Sequence, residues 1–158
     1  MLIVFVSLFY EKKTHIPPVP TLPWVKKKIL QLLLKHSNKD APLKIAELGS
    51  GWGGVTFQLA KKFPNAHVTG FEISPFPYWY SKIRQTLSHK KVNFTKNSFY
   101  DVNLSDFDVI ICYLSPQHMA WLKDKFEDEL KSDTLIISNA FPILDWPTID
   151  EDETNIFV

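Results

Sequence analysis

The chain has 158 residues, a formal net charge of +1, 45% hydrophobic and 22% charged residues, a globular balance that suits one domain with one core. Its charges are interspersed rather than gathered into a basic face, so no nucleic-acid partner is expected. The single cysteine, Cys112, excludes a disulfide framework and a cysteine-based zinc site, and within Val109-Ile110-Ile111-Cys112 it reads as a buried, inert thiol.

Residues 1–14 open with an apolar segment, Met1–Tyr10, followed by Glu11-Lys12-Lys13. Ten apolar residues are too few to span a bilayer as a helix, which takes about 20. The segment also lacks the basic start and small-residue cleavage site of a signal peptide. The lysines behind it favour the remnant of a membrane anchor. Association with a membrane surface and packing on the domain stand as alternatives. The single, buried-type cysteine suits a reducing compartment, the cytoplasm, and the anchor reading would place the protein there at the inner face of a membrane. Residues 15–23 hold four prolines in nine positions, which no regular helix or central strand survives. They read as a stiff, extended linker.

Residues 24–158 carry the main domain. Trp24–His36 reads as an amphipathic helix with a wide apolar face, and Lys26-Lys27-Lys28 as its solvated side. Ser37–Pro42 is a polar loop. Strands then alternate with helices. Strands are expected at Leu43–Leu48, His67–Glu72, Val92–Lys96, Asp108–Tyr113 and Thr134–Ser138. Helices are expected at Gly53–Phe63, from Pro75 or Pro77 to about Ser88, and at Pro116–Leu130. Asp108–Tyr113 is apolar throughout its centre and reads as buried on both faces. The tail, Asp145–Val158, adds one or two short strands. The acidic run Asp150–Glu153 reads as solvated, with contact to a basic substrate peptide as the weaker alternative. This alternation implies an α/β fold: a Rossmann-like, doubly wound, mostly parallel sheet with helices on both faces. Ligands on such sheets bind at the carboxyl ends of the strands, near the topological switch point.

The first strand runs into Glu47-Leu48-Gly49-Ser50-Gly51-Trp52-Gly53-Gly54. Glycines there permit a tight turn and a close approach of backbone to ligand. Gly49, Gly51 and Gly54 fit the dinucleotide pattern G-x-G-x-x-G, which alone decides little. Two carboxylates favour S-adenosylmethionine over NAD. Glu47 closes a central strand, where an unpaired charge is costly to bury. An ammonium would satisfy it, and a pyrophosphate would be repelled. Glu72 closes the second strand, where an acidic residue accepts ribose hydroxyls in Rossmann-type sites. The pair frames a zwitterionic ligand without phosphate.

These residues resemble the first motif of class I methyltransferases, E/D-x-G-x-G-x-G. Pro18-Val19-Pro20-Thr21, Gly70–Pro75 and Asn97–Asp101 are similar to one branch of that family. The branch holds archaeal and mitochondrial protein-lysine methyltransferases, the latter acting on the ATP synthase c-subunit and the adenine nucleotide translocase, and bacterial relatives. The resemblance implies S-adenosylmethionine as cofactor and a protein, through its lysine side chains, as substrate. It implies that Pro20 and Thr21 cover the cofactor's methionine end, and that Glu47, Gly49, Ser50, Gly51 and Gly53 hold the methionine part. Glu72 and Ile73 would meet ribose and adenine, and Asn97 and Ser98 the adenine edge. Tyr113 and Leu114 would lie near the sulfonium. Two departures stand out. Trp52 occupies a position where the branch often has Asp, and the stretch after Asn139 is short, which implies reduced final strands.

Methyl transfer mainly requires alignment and desolvation. A lysine nucleophile must lose its proton, which a pocket of low polarity promotes. Tyr113 is the candidate catalytic residue, orienting that amine. Tyr113-Leu114-Ser115-Pro116 lacks the Asn/Asp-Pro-Pro-Tyr/Phe pattern of enzymes acting on planar amide or base nitrogens. His118 has a suitable pKa for a base but reads as a surface histidine in a first helical turn. The remaining histidines show no ligand spacing, and no metal is expected. Two other readings stand. One is a small NAD-dependent oxidoreductase, for which Tyr78–Lys82 matches Tyr-x-x-x-Lys, although it lies early in the chain. The other is a catalytically inactive, membrane-tethered binding domain.

Overall fold

The computed structural model describes residues 21–151 and 155–158. The apolar segment 1–14 and the linker as far as Pro20 lie outside these residues. In chain order the elements are α1 (Pro23–His36), β1 (Lys44–Leu48), α2 (Gly54–Lys62), β2 (His67–Phe71), α3 (Pro75–Thr86) and β3 (Val92–Thr95). There follow β4 (Val109–Cys112), α4 (Pro116–Glu129), β5 (Leu135–Asn139) and β6 (Ile156–Phe157). Every expected strand and helix is found, with ends moved by one or two residues. Prolines set several of these ends. Pro23, Pro75 and Pro116 each open a helix, where a missing N–H costs nothing and the fixed φ is already helical. The first helix therefore starts inside the expected linker, at Pro23.

The six strands lie in the order β3-β2-β1-β4-β5-β6. All neighbours are parallel except β5 and β6. The chain winds outward from β1 to β3, returns across β1 to β4, and winds outward the other way. The switch point therefore falls between β1 and β4, and residues just beyond their carboxyl ends face one crevice. β1 is buried on both faces after its first residue. β4 is entirely so, which follows from its lack of any polar position.

Alternation along each strand divides the core into two layers. Ile45, Val68, Phe94 and Ile111 face one way and pack under Ile29 and Leu33 of α1 and Leu59 of α2. The spacing of Ile29, Leu32 and Leu33, all buried, is the i, i+3, i+4 stripe of an amphipathic helix. Ala46, Leu48, Ile110 and Cys112 face the other way, under Met119, Leu122 and Phe126 of α4. That second layer is covered by α4 and by the segment 96–108, through Phe99 and Leu104. Leu104 N–H donates to Glu129 at 2.8 Å, and Lys125 pairs with the same carboxylate at 2.5 Å. The segment is thus tied to the end of α4.

The tail corrects one expectation. Asp150 is not part of a solvated run. It accepts from Lys35 and His36, each at 2.7 Å, at the end of α1. Hydrogen bonds from these two partners hold its carboxyl below the ordinary range. β6 has only two residues, antiparallel to Ser138 and Asn139, a short final strand as expected. Among the described residues no helix is long and apolar enough to cross a membrane.

Candidate active site

The turn after β1 is built from left-handed backbone. Gly49 has φ +72°, Gly51 φ +51° and Gly53 φ +74°, values that favour glycine because a Cβ is strained there. Gly54 has no such conformation and begins α2. The spacing of conformationally required glycines is therefore 49, 51, 53. That is the E-x-G-x-G-x-G arrangement and not the G-x-G-x-x-G reading. Two of the three are also tight. A Cβ on Gly53 would lie 2.7 Å from Phe94 Cζ and 2.9 Å from Ser81 Oγ, and one on Gly49 would lie 3.1 Å from Leu114 Cδ2. At Gly51 no atom of the described residues, its chain neighbours aside, lies within 4 Å of where a Cβ would be, which leaves room for a ligand among them.

Glu72 braces the turn from β2. Its Oε2 accepts from Gly51 N–H and its Oε1 from Ser74 N–H, both at 2.7 Å. One carboxylate thus joins the β1–α2 turn to the start of α3. A carboxylate offers about four lone-pair sites, so two acceptor positions remain for ribose hydroxyls. Ser50 N–H donates to Phe71 O at 2.9 Å. The Ser50 hydroxyl is buried and has no hydrogen-bond partner among the described residues, a condition that in native folds calls for an explanation such as a bound group. It packs on Gly70, where a Cβ would come within 2.7 Å of Ser50 Oγ.

Glu47 is buried, and its Oε2 accepts from Thr56 N–H at 2.7 Å and from the Thr56 hydroxyl. Burial pushes its carboxyl up to about 7, with the Thr56 bonds and Lys26 opposing and Glu72 adding. Its charge is therefore answered in part by the first turn of α2. The other oxygen accepts no hydrogen bond among the described residues. The sequence reading missed Thr56. It also took Lys26 for part of a solvated face, whereas Lys26 Nζ lies over Gly54, 2.7 Å from where a Cβ would be. The signal was present: Lys26 stands three and seven residues before Ile29 and Leu33, on the buried stripe of α1.

Beyond β4, Tyr113 is exposed and Leu114 is buried against Gly49. Ser115 stands at the N-cap position of α4, and its hydroxyl bonds His118 Nδ1 at 2.6 Å rather than capping the helix backbone. His118 is buried, not a surface residue. Its ring stacks on Tyr100 at 6.1 Å and meets Phe99 and Trp121 edge-on. Tyr100 drew no separate notice in sequence, yet its hydroxyl is buried without a partner among the described residues, and burial pushes it up to about 12. Thr21 lies just before α1, while Ile73 and Asn97 are exposed at the ends of β2 and β3, and Ser98 accepts from Tyr100 N–H at 3.3 Å. Thus Glu47, Gly49, Ser50, Gly51, Gly53, Glu72, Ile73, Asn97, Ser98, Tyr113 and Leu114 all lie at the carboxyl edge of the sheet. Pro20 lies outside the described residues.

Trp52 turns toward α3, its ring edge-on to Tyr80 at 5.4 Å, while Arg84 donates to its carbonyl at 3.1 Å. The Tyr-x-x-x-Lys pair is engaged elsewhere. Lys82 donates to Phe94 O at 3.1 Å, and Tyr78 packs on the core, so neither serves a hydride site. Among the described residues no group of three or more His, Cys, Asp or Glu could hold a metal.

The family profile of the ANTKMT methyltransferase domain matches residues 47–150. The chain belongs to this family of class I S-adenosylmethionine-dependent methyltransferases. A protein-lysine N-methyltransferase of Saccharolobus islandicus is 30% identical over 139 residues, covering 84% of this chain and 81% of that protein. The lysine N-methyltransferase of the ATP synthase c-subunit from Homo sapiens is 31% identical over 104 residues, covering 65% of this chain. The match spans 44% of that human relative, less than half its length. Among solved structures, an RNA methyltransferase from Salinibacter ruber in complex with S-adenosyl-L-homocysteine superposes with a TM-score of 0.76. It is 23% identical and covers 88% of this chain and 91% of that one. At that identity the likeness shows the fold alone.

Proposed function

We propose that this protein transfers methyl groups from S-adenosylmethionine to lysine side chains of a protein. The observation that carries this is the turn of three left-handed glycines held between two buried carboxylates, Glu47 and Glu72. The site suits a cofactor with an ammonium and a ribose but no phosphate, since two acidic side chains would repel a pyrophosphate. The open space at Gly51 and the orphaned Ser50 hydroxyl fit the same group. The acceptor class is supported by the Saccharolobus islandicus and human relatives, both named as lysine N-methyltransferases.

When bound, S-adenosylmethionine supplies a methyl group already activated on sulfonium. The chain's own residues then have three tasks. Glu47 binds the ammonium and Glu72 the ribose, which fixes the cofactor along the edge of β1 and β2. Leu114, buried against Gly49, excludes water beside the turn. Tyr113, at the end of β4, orients the lysine amine with its hydroxyl, and a setting of low polarity around the amine would favour its neutral, nucleophilic form.

The test is incubation with methyl-labelled cofactor and a cell lysate, followed by mapping of the label. Label on lysine residues of a protein is expected. Label on nucleic acid or on another residue type would contradict the acceptor assignment, and no label above a boiled control would contradict transfer.

A further inference from the structure

Gly54 has an ordinary backbone conformation and needs no glycine for its turn. What its missing side chain provides is room. A Cβ there would lie 2.7 Å from Lys26 Nζ and 3.2 Å from Lys26 Cε. The ammonium of Lys26, carried on α1, therefore rests over the N-terminal end of α2. The residue is only partly exposed, and its ammonium forms no ion pair among the described residues. Its positive charge acts on Glu47, yet no ion pair within 4 Å joins the two. A cation and a carboxylate thus face the same turn from opposite elements, separated by more than a direct contact. The first N–H groups of α2 add to the positive side. A ligand that bears an ammonium and a carboxylate on one carbon matches this arrangement.

We propose that Lys26 binds the carboxylate of the cofactor's methionine part while Glu47 binds its ammonium, so that the chain selects the intact amino-acid end of S-adenosylmethionine. This rests on the cofactor reading above. It differs from a structural role, in which Lys26 merely offsets the buried charge of Glu47. In that case the loss of Lys26 would weaken binding of any ammonium-bearing ligand equally, whether or not it had a carboxylate.

The experiment compares calorimetric binding of S-adenosylmethionine and of decarboxylated S-adenosylmethionine, which keeps the ammonium and lacks the carboxylate. Wild type, Lys26→Met and Lys26→Arg are measured, with thermal unfolding as a check on folding. A charge-assisted hydrogen bond gives wild type a preference of about tenfold to a hundredfold for the intact cofactor. Lys26→Met brings that preference close to one, and Lys26→Arg retains most of it. An unchanged preference in Lys26→Met, including equal weakening of both ligands, overturns the assignment while leaving the cofactor site standing. Failure of wild type to bind either ligand overturns the cofactor reading and this assignment together.

Discussion

Glu47 shows how one buried carboxylate can link cofactor, charge and pH. Its carboxyl is raised by burial from the ordinary 4.5 to about 7. A folded-state value above the unfolded one means that stability is greatest at low pH. The contribution is fully present below about 4.5, where both states hold the proton, and is lost as pH rises to about 7. The cofactor-free protein is therefore expected to unfold at a lower temperature at about pH 8 than at about pH 5. Glu47→Gln should flatten that trend. Bound S-adenosylmethionine should stabilise wild type more strongly as pH rises, because its ammonium needs the ionised carboxylate. Thermal unfolding across this range, with and without cofactor, checks the prediction; a wild-type profile no steeper than that of Glu47→Gln would refute it. Glu47 and Glu72 were legible because a carboxylate closing a buried strand is out of place without a partner. Thr56 was not, since it owes its position to the docking of a helix that a linear pattern leaves unplaced; Lys26 could be read onto the buried stripe of α1, but not onto the turn that the stripe meets. His118 was misjudged for the same reason: its place in a first helical turn suggested solvent, while Phe99 and Tyr100, from a distant segment, cover it.

The element that matters most is the turn between β1 and α2. Its glycines look interchangeable in sequence and are not so in space. Gly53 has a left-handed backbone and no room, whereas Gly51 has a left-handed backbone and open space. Gly53→Ala is expected to cost about 1–3 kcal/mol of stability, since strained backbone and a clash with buried Phe94 act together. Gly51→Ala should cost less stability, about 1 kcal/mol from backbone strain, but should weaken cofactor binding, because its methyl enters the space left for the ligand. Chemical denaturation and calorimetry on the two variants would separate the effects. Equal stability losses would mean that packing around the turn is not as described. The order of helices and strands was readable from periodicity and from prolines at helix starts. The short shifts at strand ends came from the last ladder bonds, which depend on neighbours. Sequence alone could not say which glycine spacing was real, because only backbone angles distinguish Gly53 from Gly54.

At the scale of the whole molecule, the strand order explains why residues from four separate stretches meet. β1 and β4 lie side by side at the switch point, so Glu47 and Tyr113 share one edge although 66 positions separate them. Glu72 then draws the turns after β1 and β2 together. The parallel sheet followed from strand–helix alternation. The uneven coverage did not: α1, α2 and α3 pack toward one layer, while α4 and the segment 96–108 cover the other. That segment has no helical period, so its two buried anchors, Phe99 and Leu104, were visible only in the fold. The cofactor site is probed most directly by calorimetric titration of S-adenosylmethionine and NAD into wild type and Glu72→Gln. Glutamine preserves one of the acceptor oxygens that brace the turn, and thermal unfolding reports whether the variant folds. One cofactor per chain is expected, with S-adenosylmethionine bound more tightly than NAD, and a loss of about a hundredfold in Glu72→Gln from weakened bonds to two ribose hydroxyls. No binding of S-adenosylmethionine by wild type, or equal affinity in a folded Glu72→Gln, would contradict a cofactor held between Glu47 and Glu72.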